Sequence, residues 1–146
     1  MDKGIYCLAF SNDPCTVQVG SLGPTDFPRG WHVYIGSALG HGGLSRVFRH
    51  FRLFSSGSGT RHWHVDYLLT NRGFSLHYAV CARTASPLEC DLARTIGGIP
   101  VPHFGCSDCK CLSHLFYFDT NPRDSITSAA ISLGLIPVIA TINTLE

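Results

Sequence analysis

Arg46 and His50 are the first side chains whose types and spacing could do chemistry. They lie four residues apart in a segment with helical periodicity, so they stack one turn above the other and can converge on a single group. A guanidinium and an imidazole in that arrangement suit an anionic oxygen. The spacing therefore predicts a site for an anion above this helix.

The elements that must position this pair are a strand, a glycine-rich turn and a helix. Residues Trp31–Ile35 alternate as a strand does, and the pattern breaks at Gly36 before three further glycines. Apolar residues then recur at i, i+3, i+4 and i+7, namely Leu44, Val47, Phe48 and Phe51. This stripe predicts a packed helix with Arg46, Arg49 and His50 on its opposite side.

The charge of the chain is unevenly distributed. The net charge is only +1, which argues against strong nonspecific binding of nucleic acid. The segment from Arg29 to Arg72, however, contains six arginines and five histidines but only one acidic residue, Asp66. Such a basic segment suits phosphate contact, although arginines also simply solvate surfaces. The candidate nucleic-acid-binding residues are Arg46, Arg49, Arg52, Arg61 and His64.

Two clusters have residue types that bind metals. Cys106, Cys109, Cys111 and His114 supply enough ligands for tetrahedral zinc, and reduced, partly buried thiols are the alternative interpretation. The other cysteines, Cys7, Cys15, Cys81 and Cys90, have no interpretable spacing. The second cluster is His62, His64 and Asp66, which would share one face if the segment were a strand. Ordinary capping and hydrogen bonding by the same residues is the alternative.

The chain as a whole has the composition of one globular domain over residues 1–146. Its first residues show no signal peptide, and no window has the length of uncharged apolar sequence that a membrane helix needs. We therefore expect a cytoplasmic protein. The sequence leaves its oligomeric state open, and the apolar tail at residues 136–142 suits an edge strand, core packing or a dimer contact.

Two tripeptides, and the helical segment that follows the second of them and ends at Phe51, resemble the signature of a known family. Gly4-Ile5-Tyr6 and Tyr34-Ile35-Gly36, followed by the segment Arg46-Val-Phe-Arg-His50-Phe, resemble the paired signature of the GIY-YIG nuclease superfamily. Residues 62–69 and 104–118 are similar to a branch found in archaea as a short stand-alone protein of undefined function and elsewhere fused to an endonuclease III glycosylase. The resemblance covers residues 3–119, with 120–146 as a C-terminal extension.

The resemblance implies a fold and a set of catalytic roles. The fold would be α/β (α+β), with a small, mainly antiparallel three-stranded sheet flanked by helices and an extra C-terminal strand and helix. Tyr6 would act as or assist the general base, Tyr34 would orient water or phosphate, Arg46 would stabilise the transferring phosphate, and His50 would donate to it or shuttle a proton. A tyrosine has an ordinary pKa near 10, so such a base needs that pKa lowered or a proton relay.

The resemblance also gives Glu89 a role. In the superfamily a glutamate on the helix after the third strand is the only protein ligand of the catalytic metal, which here would be Mg²⁺ or Mn²⁺ at Glu89. The residues themselves offer a competing explanation, because Ser86-Pro-Leu-Glu89 has the pattern of a capping box.

The expected function is that of a metal-dependent endonuclease acting on DNA, with RNA not excluded. The fused relatives point to DNA repair and to a repair-protein partner. Two alternatives remain open at this stage: a noncatalytic nucleic-acid-binding or adaptor module that retains the fold, and a zinc-stabilised protein.

Overall fold

The computed structural model of the chain describes residues 2–105 and 111–141, which form a mixed α/β fold. The strands are β1 (Gly4–Asn12), β2 (Cys15–Val19), β3 (Gly23–Phe27), β4 (Gly30–Ala38), β5 (Phe74–Arg83), β6 (Ile99–Pro100), β7 (Leu115–Phe118) and β8 (Val138–Ala140). The helices are α1 (Arg46–Ser56), α2 (His64–Leu69), α3 (Glu89–Thr95) and α4 (Arg123–Ser132). None of the helices in this part of the chain is long and apolar enough to cross a membrane.

The main sheet has the strand order β6-β7-β4-β1-β5-β8, and each pairing between its described strands is antiparallel. The three-stranded sheet expected from the sequence is its centre, β4-β1-β5, but the expected size was wrong because the sheet has six strands. β7 pairs with the free edge of β4 and β8 with that of β5, and β6 then pairs with β7. These additions satisfy backbone groups that a three-stranded sheet would leave exposed at both edges. The strands β2 and β3 form a separate two-stranded sheet.

The central strand β1 is buried on both of its faces. Tyr6, Leu8 and Phe10 alternate along it with Ile5, Cys7 and Ala9, as the two-residue period of a strand requires. The first set belongs to a core cluster that residues of α1 and α2 complete, and the second set belongs to a cluster completed by residues of α3 and α4. The sheet thus separates two cores, and side chains that could do chemistry are distributed between them.

Candidate active site

The centre of the candidate site is a hydrogen bond between β1 and α1. The hydroxyl of Tyr6 lies 2.7 Å from Nε2 of His50, and the two side chains are only 2% and 1% exposed. The expectation that His50 lies opposite the apolar stripe of its helix was therefore wrong. His50 follows the buried Val47 by three residues, and residues at that spacing share a helix face.

Arg46 approaches the same hydroxyl from the first turn of α1. Burial raises the pKa of Tyr6 well above its ordinary value of 10.0, the nearby Tyr34 adds to this rise, and the charge and hydrogen bond of Arg46 lower the pKa only in part. Burial also lowers the pKa of His50 to about 3. Both groups are therefore neutral near pH 7, and Arg46 supplies the positive charge of the site. The Arg46 guanidinium is held in place by donating to the carbonyl oxygen of Ser37 at 2.6 Å.

Tyr34 completes this group on the same face of the sheet. Its ring centroid lies 6.4 Å from that of Tyr6, with the rings tilted by 52°. The structure thus brings together four of the five predicted catalytic residues, Tyr6, Tyr34, Arg46 and His50.

Trp63, at the start of α2, lies over this group, and the sequence analysis did not identify it. The Cζ atoms of Arg46 and Arg49 lie 4.9 Å and 4.6 Å from the centroid of its ring, and the His50 ring lies 6.1 Å away. The indole remains 38% exposed. A cation above an aromatic face is an attractive contact, so Trp63 helps to fix both arginines. Its position as an aromatic residue within a basic segment could have identified Trp63 as a candidate for nucleic-acid contact.

Asp66 is fully buried and organises the start of α2. Its carboxylate accepts from Nη1 and Nη2 of Arg49 at 3.1 Å and 3.0 Å, and from the backbone N–H groups of His62 and Trp63. Burial alone would raise the pKa of Asp66, but these hydrogen bonds and the Arg49 charge together lower it. The possible metal site of His62, His64 and Asp66 required a strand, and the helical conformation from His64 onward removes that shared face.

The residues predicted to bind nucleic acid divide into two groups. Arg49 is paired with Asp66, and His64 accepts the backbone N–H of Gly105 at Nδ1 over 2.9 Å, so both support the local structure. Arg52 and Arg61 are exposed. Of the remaining arginines in the basic segment, Arg29 pairs with Asp13 at the other end of β1. Arg61 donates from Nε to Oγ1 of Thr70 and lies over the ring of Tyr67. Arg46 is therefore the predicted nucleic-acid-binding residue that contacts Trp63 without an acidic partner among the described residues.

Glu89 is the first residue of α3, and the predicted capping box is wrong. The N-cap residue is Leu88 without a side-chain cap, and the Ser86 N–H donates to Oγ1 of Thr84. The Oε2 atom of Glu89 is buried and has no hydrogen-bond partner among the residues that the structure describes. The Glu89 charge acts on His114, whose pKa is lowered by burial and raised in part by that charge. A buried carboxylate oxygen without a donor fits a cation ligand.

Glu89 belongs to a different part of the fold from the other four residues. The helix α3 buries Leu92, Ala93 and Ile96 in the cluster on the opposite side of the sheet from α1. Gly105 lies between residues of the two parts. A Cβ atom placed at Gly105 would lie 3.3 Å from both His114 Cβ and Tyr34 Cε1. His114 and Tyr34 are therefore both neighbours of Gly105, and His114 lies close enough to Glu89 for the carboxylate charge to act on it.

The predicted zinc ligands are only partly within the described residues. Cys106 and Cys109 lie outside them, whereas Cys111 forms a disulfide with Cys90, whose spacing in the sequence predicted no role. The Nε2 atom of His114 lies 3.7 Å from Sγ of Cys90, and the ligand atoms of Cys90, Cys111 and His114 all lie within 4.8 Å of one another. This group has the residue types and closeness to hold a metal ion.

Comparison with known proteins gives one match. The model of a family described as Domain of unknown function DUF123 matches residues 5–135. No curated protein and no solved structure matches the chain.

Proposed function

The chain belongs to the family described as Domain of unknown function DUF123, and on that premise we propose that it is a divalent-metal-dependent endonuclease that hydrolyses phosphodiester bonds in DNA. Because the family description names no activity, the proposal depends on the site and on the resemblance to GIY-YIG nucleases. The observation that carries it is the approach of Arg46 and His50 to the hydroxyl of Tyr6, with Tyr34 beside them.

The neutral Tyr6–His50 pair can relay a proton. The hydroxyl both donates and accepts, and each imidazole nitrogen does one or the other according to the tautomer. A water that attacks phosphorus must lose a proton. The Tyr6 hydroxyl would accept this proton while it donates its own to Nε2 of His50, which becomes an imidazolium beside the phosphate anion. The raised pKa of Tyr6 means that the phenol does not act as a preformed phenolate. Tyr6 therefore takes part as a hydrogen-bonded relay.

Arg46 is the group that would contact the substrate. It is only partly buried, whereas Tyr6 and His50 lie beneath it. Its planar guanidinium suits two oxygens of a phosphate, and it stabilises the charge that develops as the phosphoryl group is transferred. The contacts with Ser37 and Trp63 hold this guanidinium before substrate arrives.

Glu89 is the residue that would hold a divalent metal ion. Its buried Oε2 atom, which has no hydrogen-bond partner among the described residues, supports this assignment. Mg²⁺ commonly uses one or two carboxylates and keeps several waters. Such an ion supplies charge that stabilises the phosphate and the leaving oxygen.

The test is cleavage of labelled single-stranded, duplex, flapped, branched and abasic DNA, and of RNA, with Mg²⁺ or Mn²⁺. We expect Tyr6→Phe and Glu89→Gln to abolish cleavage. The matched controls are Tyr117→Phe, whose hydroxyl donates to the Arg29 carbonyl, and Asp91→Asn in the same turn as Glu89. Cleavage that survives both substitutions, or an inert wild-type protein on every substrate, would exclude the proposal.

A noncatalytic nucleic-acid-binding or adaptor module is the second candidate. The observation that favours it is the burial of Tyr6 and His50, which leaves Arg46 and Trp63 as the accessible surface. This candidate predicts salt-dependent binding of DNA that Arg46→Ala weakens, with no cleavage by the wild-type protein.

A further inference from the structure

A second site lies on the α3 side of the sheet, where Cys90, Cys111 and His114 meet. We propose that the reduced chain binds one zinc ion through Sγ of Cys90, Sγ of Cys111 and Nε2 of His114. This site is separate from the proposed magnesium ligand, and it does not depend on the proposed endonuclease activity.

The distance between Cys90 and His114 agrees with the requirements of zinc. A tetrahedral ion with Zn–S near 2.3 Å and Zn–N near 2.0 Å holds a sulfur and a nitrogen ligand roughly 3.6 Å apart. Sγ of Cys90 and Nε2 of His114 are 3.7 Å apart. Once the disulfide is reduced, the two sulfurs need to separate only to about 3.8 Å to complete the same geometry. The third pair, Sγ of Cys111 and Nε2 of His114, lies within 4.8 Å. Binding of the ion therefore requires the Cys111 side chain to shift by about 1–2 Å.

The environment of the three side chains also favours a cation. His114 is 8% exposed, and its Nε2 atom lies against Sγ of Cys90, away from bulk solvent. The carboxylate of Glu89 acts on His114 and adds negative charge to the neighbourhood. Two thiolates and one imidazole are soft ligands that select zinc over Mg²⁺ or Ca²⁺.

Zinc binding requires that the disulfide is reduced first. Cleaving the Cys90–Cys111 disulfide takes two electrons and two protons, which a phosphine reductant and water supply while the phosphine becomes its oxide. Zinc then displaces the two thiol protons and forms two Zn–S bonds and one Zn–N bond. A three-ligand site leaves the fourth position of the ion to water or another small ligand.

The consequence for the fold is that either redox state can join the same two segments. Cys90 lies in the first turn of α3, whereas Cys111 and His114 precede β7. The disulfide joins these segments in the oxidised chain, and the zinc ion joins them in the reduced chain. Both forms hold the start of α3, and with it Glu89, against the sheet.

The experiment is anaerobic loading of the full chain with zinc in the presence of the phosphine, followed by removal of unbound metal and elemental analysis. We expect about one zinc per chain for the wild type and much less than half of that for Cys90→Ser and Cys111→Ser. His114→Ala should bind at least tenfold more weakly. Cys81→Ser is the matched control, because Cys81 is a free cysteine in β5, and it should keep the full content.

A measurement on the wild type makes the test independent of how the variants fold. Bound zinc should protect Cys90 and Cys111 from alkylation, as read by mass spectrometry of peptides, while Cys81 reacts equally with and without zinc. The proposal is overturned if the reduced wild type retains no zinc. It is also overturned if Cys90→Ser retains the full content, since the ion would then belong to the alternative set containing Cys106 and Cys109.

Discussion

The ring of Tyr6 lies directly against the backbone of Gly36, its partner across the β1–β4 ladder. A Cβ atom at Gly36 would stand 2.3 Å from Cζ and 2.5 Å from the hydroxyl oxygen of Tyr6. Atoms do not approach so closely, so a side chain at Gly36 must displace the tyrosine. The orientation of the Tyr6 hydroxyl toward His50 thus depends on a glycine one strand away.

Substituting Gly36 by alanine should therefore destabilise the protein. We expect the free energy of unfolding to fall by about 2 kcal/mol, because a methyl group inserted into a packed core forces its neighbours to move. Chemical denaturation measures this change. Gly40→Ala is the matched control, since nothing lies within 4 Å of a Cβ atom there, and it should change the free energy by less than about 0.5 kcal/mol. Equal effects of the two substitutions would contradict the close contact.

Buried histidines should make the protein sensitive to mild acid. The pKa of His50 is lowered from 6.5 to about 3, and that of His32 is lowered to about 4, in both cases by burial. Below pH 6.5 the unfolded chain therefore binds protons at these positions that the folded chain does not bind. Stability is fully present above that pH and is lost as the pH falls, by up to about 1.4 kcal/mol per pH unit for each histidine.

Denaturation at pH 7, 6 and 5 measures this dependence. His50→Gln should reduce the slope between pH 6 and 5, since glutamine does not titrate, whereas His41→Gln at an exposed position should leave it unchanged. The lowered pKa of Asp66 does not contribute in this window, because its ordinary value of 3.8 lies below it. A slope that is the same in all three proteins would show that His50 binds protons equally in the folded and unfolded states.

The pair of Arg49 and Asp66 should matter for stability. Arg49→Ala leaves the fully buried Asp66 carboxylate without its guanidinium partner. We expect a loss of about 2–3 kcal/mol, below the range for fully buried pairs because Arg49 is partly exposed. Arg52→Ala, at an exposed position in the same helix, should cost less than about 0.5 kcal/mol. If thermal or chemical denaturation ranks the two variants equally, the pair does not stabilise the fold.

Local patterns in the sequence predict where individual helices and strands lie, but they do not predict how many strands the sheet contains. The alternation in residues 31–35 and the stripe containing Val47 and Phe51 correspond to β4 and α1, since both are properties of neighbouring residues. The strand β6 has only two residues and β8 only three, which is too few for a periodic signal. Their pairing depends on edges that exist only after the central strands assemble, so the three-stranded expectation fell short.

The candidate site was predicted where a residue's role follows from its own helix, and missed where the role comes from a distant segment. Arg46 and His50 were identified by their spacing, but the partner of His50 is Tyr6, 44 residues away. Cys90 and Cys111 are separated by 21 residues, and no short spacing relates them. The sequence supplies residue types, whereas the antiparallel order of the sheet decides which of them meet.

Trp63 should report directly on nucleic-acid binding, a prediction that depends on the proposed function. The chain contains two tryptophans, and Trp31 packs with His77 and Tyr78 away from the candidate site. In a Trp31→Phe variant, the fluorescence of Trp63 should therefore be quenched when single-stranded DNA is added, because an exposed indole held between arginines can stack on a base. Trp63→Ala should weaken binding by roughly 5- to 150-fold, the equivalent of about 1–3 kcal/mol for one stacked base. Fluorescence anisotropy of labelled DNA at a fixed salt concentration measures that affinity, and Trp31→Phe serves as the control that should bind normally. If DNA binds to Trp31→Phe with no change in tryptophan emission, the DNA contacts another surface, and Arg46 is not the residue that receives the phosphate.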